Sequence, residues 1–169
     1  RNTTLEKIII ANEEVIVKID EFMKSFNYET WNDRSIQIAE LENQIEVITL
    51  ETTALQEEID RANKKLFLLE QVPCGDKFPS CKFISSAHQS LSQISLLTEK
   101  KGEKERVSQA LYGDIDSLEP TKVQEYLNQY EQVLTKRKAK QEEVNKHELE
   151  VAKNKTTIVR LRDSKNESE

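Results

Sequence analysis

From Ile38 onward the apolar residues recur at alternating steps of three and four. The positions are Ile38, Leu41, Ile45, Ile48, Thr52, Leu55, Ile59, Ala62, Leu66 and Leu69, and Thr52 is the only polar one. A repeat of about 3.5 residues keeps a narrow stripe on one side of an α-helix, and over this length it predicts a left-handed coiled-coil seam. Such a stripe needs a second helix to cover it. The spacing predicts a helix from about Ser35, as N-cap, to about Gln71, roughly 55 Å long at ~1.5 Å per residue. Pro73 ends it, because proline has no amide to donate and pushes the residue before it out of the helical region.

Composition agrees. Of the 169 residues 33% are charged and only 6% aromatic, with three glycines and three prolines, which is too few turns and too little apolar bulk for a compact domain. The net charge is −6 with both signs interspersed. That is a solvated helical surface and lacks the basic patch of a nucleic-acid footprint. The most apolar stretch, "KIIIANEEVIVKI" (7–19), is broken by charge and is shorter than the ~18 apolar residues of a membrane span. The chain opens on Arg1 and a polar "RNTTLEK", with no signal peptide. The expectation is a fragment excised from a larger protein.

Other segments repeat the pattern in their own phase. Leu5, Ile8, Asn12, Val15, Ile19, Phe22 and Phe26 alternate by three and four, but counting on from Phe26 does not reach Ile38. The phase is lost in "NYETWNDR" (27–34), read as a joint. Ile84, Ala87, Leu91 and Ile94 restart a seam that weakens through "TEKKGEKER" (98–106). A second break is expected at "YGDIDSLEPTK" (112–122). There Gly113 suits a helix C-terminus and Pro120 the first turn of the next helix. The last helix carries Val123, Tyr126, Tyr130, Val133, Val144, Val151 and Ile158, with Arg137, Lys140 and His147 on the same stripe.

The arms on either side of residues 73–83 are similar in length, and a short loop between them lets the chain cover its own seam. The fold predicted is all-α: a long antiparallel coiled-coil hairpin with a cysteine loop at its tip and breaks along the arms. Its parts are an outer arm (1–26), a joint (27–34), an ascending helix (35–72), the loop (73–83), a descending helix (84–111), a break (112–122) and an outer descending helix (123–165).

Both cysteines, Cys74 and Cys81, fall in that loop. Four uses are open to them. Zinc takes four ligands in a tetrahedron, and one hairpin offers two thiolates, so a second hairpin meeting it tip to tip supplies the others. An intrachain disulfide would staple the tip in an oxidising compartment. Free cysteines would serve as small apolar residues. A catalytic Cys–His pair with His88 is the weakest option, since nothing near it would hold an oxyanion. Pro73, Gly75 and Pro79 fit a turn that aims two sulfurs at one point. Phe78, Phe83 and Ile84 add apolar bulk, to cap the hairpin's own seam or to bury a tip-to-tip contact. His88 reads as a helix-surface residue and His147 as seam packing. The triplets beginning at Asn2, Asn154 and Asn166 match glycosylation acceptors, and chance accounts for them.

The tip "VPCGDKFPSCKFI" on a long, interrupted coiled coil resembles the zinc hook of SMC-like ATPases. These are the SbcC-type subunits of recombination and double-strand-break repair nucleases, including bacterial and bacteriophage members. The spacing here is C-x6-C, where the familiar hook is C-x2-C. The resemblance implies that Cys74 and Cys81 ligate one zinc ion shared between two chains, with Pro73, Gly75 and Pro79 shaping the hook. It implies a homodimer through the tip, a cytoplasmic parent that binds DNA and a nuclease subunit, and no membrane. No GxxxxGK[ST] stretch occurs, so this segment is expected to be no enzyme, although its parent would be an ATPase. The alternative expectation is a structural, viral or extracellular hairpin closed by a Cys74–Cys81 disulfide.

Overall fold

A computed structural model describes residues 2–71 and 85–168. The described secondary structure is all α-helical: α1 (Asn2–Ser25), α2 (Tyr28–Gln71), α3 (Ser85–Ser117) and α4 (Pro120–Asn166). The chain divides into two units, one of Arg1–Asp33 with Thr121–Glu169 and one of Arg34–Pro120.

In the first unit α1 pairs with α4 in antiparallel sense. Moving forward along α1 from Asn2 to Asn12 to Asp20 moves the partner back along α4 from Asn154 to Glu143 to Arg137. The inward residues of α4 include Val123, Tyr126, Tyr130, Val133, Arg137, Lys140, Val144, His147 and Val151, as the spacing predicts. Ile158 is 45% exposed and does not join them. On α1 the inward set is Asn2, Leu5, Ile9, Asn12, Ile16, Ile19, Met23 and Phe26. This differs from the expected set at two places, where Ile9 takes the place of Ile8 and Met23 of Phe22; Val15 is half-buried as expected, beside a fully buried Ile16. Each lies in a run of two or three adjacent apolar residues, and either choice keeps a 3-4 rhythm. Asn2 and Asn12, bonded to α4, lie on the same face as Ile9, Ile16 and Met23.

The interruption between α1 and α2 is two residues long, Phe26 and Asn27, and not the whole of 27–34. Asn27, not Ser35, caps α2: its side-chain oxygen accepts from the Thr30 amide at 3.4 Å. That satisfies one of the donors a helix start leaves open, and Glu29 in the first turn suits the helix dipole. Around this joint the aromatic rings gather. Phe26 lies 5.1 Å from Tyr130, Tyr28 lies 4.5 Å from Tyr130, and Trp31 stacks on Tyr126 at 4.4 Å and 9°. Lys122 sits over the Trp31 ring at 5.9 Å. These offset stacks let a sharp chain reversal of phase occur without exposing the seam.

In the second unit α2 pairs with α3, again antiparallel: Arg34 meets Glu119 at 3.5 Å, and further along Glu51 meets Lys104. On α2 the predicted stripe is the inward one. Ile38, Ile45, Ile59 and Ala62 are buried, with Leu41, Ile48, Thr52, Leu55 and Leu66 half-buried between them. On α3 the inward set is Ala87, Ser90, Ile94, Leu97, Lys101, Lys104, Ser108, Leu111, Ile115 and Leu118, also in strict 3-4 order. Ser90, 6% exposed, replaces the expected Leu91, which is 52% exposed. Its hydroxyl donates to the Ser86 carbonyl at 3.0 Å, so the polar group is satisfied within the helix and can be buried.

Helix α3 runs through Gly113 to Ser117, so Gly113 is not its terminus and the break expected at 112–122 shrinks to Leu118 and Glu119. Pro120 opens α4, as predicted. A proline there excludes the right-handed helical region for the residue before it. Glu119 responds with φ of 54°, in the left-handed region that L-residues other than Gly and Asn adopt at a cost. Glu119→Gly removes that cost and gives up the largely exposed ion pair with Arg34. It is expected to stabilise the protein by about 0.5–1 kcal/mol, read as a raised urea midpoint at unchanged slope.

Candidate functional site

Because α2 and α3 are antiparallel, Gln71 and Ser85 come to the same end of the second unit, where residues 72–84 connect them. Every site residue named from the sequence lies in that connection: Pro73, Cys74, Gly75, Phe78, Pro79, Cys81, Phe83 and Ile84. All of them lie outside the described residues. The helices that carry the connection are firmly seated close by. Ala87 in the first turn of α3 is 2% exposed, and Ile59 and Ala62 toward the end of α2 are buried. His88, one residue further along α3, is half-buried rather than on the open surface, and its Nε2 has no hydrogen-bond partner among the described residues. Among the described residues no three His, Cys, Asp or Glu side chains stand together as a metal site.

The described polar chemistry sits inside the first unit's seam. Asn12, buried, donates from Nδ2 to Glu143 Oε2 at 3.0 Å, and Lys140 donates to the same oxygen at 3.2 Å. Arg137 grips Asp20 with two bonds, Nε to Oδ1 at 2.6 Å and Nη2 to Oδ2 at 3.3 Å. Asn154 donates to Asn2 Oδ1 at 2.7 Å, which occupies the side chains of two of the three glycosylation-type triplets in a seam contact. His147 is half-buried with Nδ1 unpartnered. The stripe read from sequence already holds Arg137, Lys140 and His147. Their partners escaped it, because only a fixed antiparallel register says which residue of α1 faces which residue of α4.

These contacts set the charges. The hydrogen bond from Arg137 holds the Asp20 carboxyl below the ordinary range; partial burial opposes this, and the charges of Arg137 and Lys24 add to it. The hydrogen bond from Lys140 and its charge, with help from Asn12, hold Glu143 low in the same way. The arrangement locks helices together, and it contains no nucleophile paired with a base. None of the described helices is long and apolar enough to cross a membrane. Comparison with family models, with curated proteins and with solved structures returned no match.

Two outcomes follow for this seam. A carboxylate with a lowered folded pKa stabilises above its unfolded value, about 3.9 for Asp and 4.3 for Glu, and that stability is lost as pH falls through the lowered folded value. Acid titration of helicity is expected to show this loss below the ordinary carboxylate range, and Asp20→Asn to flatten it. Asn12→Leu exchanges a buried amide for apolar packing and leaves Glu143 its lysine. It is expected to raise stability by about 1 kcal/mol in chemical denaturation.

Proposed function

We propose that this chain is a coiled-coil arm that tethers itself to a second copy through one zinc ion shared between their cysteine loops. It would be the hook segment of an SMC-like, SbcC-type ATPase of DNA recombination and repair. The observation that carries the reading is that α2 and α3 pair antiparallel and are joined by residues 72–84 alone, which contain both cysteines. Cys74 and Cys81 supply two thiolates, and tetrahedral zinc takes the other two from a second chain. Pro73, Gly75 and Pro79 shape the loop. Phe78, Phe83 and Ile84 shield the metal from water. Such a tip contact is small, so metal binding supplies most of its strength.

The work assigned to this segment is mechanical. The paired helices span distance, and the hook is a contact that can be made and broken. Nucleotide hydrolysis, DNA binding and the nuclease partner belong in this reading to the parent protein. The cysteines stay reduced in a cytoplasmic setting, which favours thiolate ligation over a disulfide.

The test pairs elemental analysis with light scattering on the same sample. The expected result is about half a zinc per chain in a dimer, the stoichiometry of one tetrahedral site built from two thiolate pairs. Cys74→Ser with Cys81→Ser should abolish both the zinc and the dimer and leave helicity unchanged. Dimerisation that survives the double substitution overturns the zinc joint. A zinc-free chain lighter by two hydrogens supports the alternative, a structural hairpin closed by a disulfide.

A further inference from the structure

The second unit is packed unevenly along its length. Toward one end Ile38 and Ile45 on α2 and Ile115 on α3 are buried; toward the other, Ile59 and Ala62 on α2 and Ala87 on α3. Between these blocks the inward positions turn polar on both helices. Thr52 interrupts the stripe of α2, and Lys101, Lys104 and Ser108 hold three successive inward places on α3. Ile48 and Leu55, the apolar neighbours of Thr52 on the stripe, are only half-buried. A groove of about 330 Å³ lies at this level, its walls formed by Ile48, three threonines, Glu105, Ser108 and Gln109.

The backbone at this level is weakened as well. Three threonines within little more than one turn bond back into the helix: Thr49 donates to the Ile45 carbonyl at 2.8 Å, Thr52 to Ile48 at 2.7 Å and Thr53 to Thr49 at 2.9 Å. Side-chain hydroxyls competing for helix carbonyls soften and bend a helix. Across from them Gly102 lies mid-helix, and a Cβ there would meet nothing within 4 Å. No close approach requires the glycine, and it costs the helix ~1 kcal/mol relative to alanine. The ion pair across the helices at this level, Lys104 with Glu51, is half exposed and holds them weakly, and Lys101 pairs with Glu105 within α3 itself.

We infer that the second unit opens at its middle. Residues 49–53 of α2 and 101–108 of α3 form a compliant zone, where the helices part and bend while the apolar blocks on either side stay closed. Long paired helices normally open from their ends, because the end turns have the fewest neighbours. Here the least supported section is internal, so the unit can yield without unzipping. The inference is independent of the zinc reading, since neither cysteine takes part in it.

Amide hydrogen exchange on the full chain at neutral pH tests it. Residues 49–53 and 101–108 are expected to exchange at least about tenfold faster than 38–45, 59–62 and 111–115. Equal protection along α2 overturns the inference. Gly102→Ala, which has free space to fill, should slow exchange in the zone about fivefold and leave the flanking blocks unchanged. Combining Thr52→Leu, Lys101→Leu and Ser108→Leu should erase the contrast by restoring an apolar seam. Fast exchange that persists in both variants would mean that packing does not govern the zone, and it would also overturn the inference.

Discussion

The first unit depends on polar groups placed where an apolar seam would be more stable. A seam of uniform aliphatic residues can slide by one heptad with little loss, because each repeat resembles the next. Asn12 cannot slide. Its amide is buried on Glu143, and a shift of register breaks that bond, at the cost of an unsatisfied polar group in the interior wherever no other acceptor meets it. The Asn2–Asn154 pair and the Arg137–Asp20 fork repeat the same demand at two other heights. Stability is given up and a single alignment is obtained, as for a lone asparagine in a coiled-coil seam. That alignment brings Phe26 between Tyr126 and Tyr130 and makes the joint at Phe26–Asn27 possible.

The two units solve the covering problem with different materials. The second relies on isoleucine, leucine and alanine at its two ends and leaves its centre to threonine, lysine and serine. Its alignment is set by where the apolar blocks begin and stop. The first carries fewer aliphatic contacts, but it gathers Phe22, Phe26, Tyr28, Trp31, Tyr126 and Tyr130 into one cluster beside a helix end. Large rings are useful there because they keep contact while the phase of the helix changes beneath them.

What the sequence made legible follows from how many answers each pattern allows. Between Ile38 and Leu66 only Ile48 and Leu66 have a large apolar neighbour, Val47 and Phe67, so the stripe has nearly one reading, and the structure has it. Pro120 likewise allows one place in a helix, its first turn. The runs Ile8–Ile10, Val15–Val17 and Phe22–Met23 each allow more than one inward residue, and only contacts across to α4 decide among them. Ser90 was passed over for Leu91 because hydropathy ignores a hydroxyl satisfied by its own helix. Joint lengths were overestimated for a related reason: Asn27 and Gly113 have the same turn-prone reputation, but only Asn27 has a free helix start to cap. The cysteine loop was the plainest chemical signal in the chain, and it lies outside the described residues.

The chain has a single tryptophan, and it belongs to the first unit. Trp31 is stacked on a tyrosine and lies beneath a lysine, two groups that alter indole emission. Its fluorescence therefore reports the loosening of one joint, while circular dichroism averages over all four helices. Agreement between the two curves would mean that both units melt as one cooperative body. Separation of the curves would assign each unit its own transition, using a probe the protein already carries.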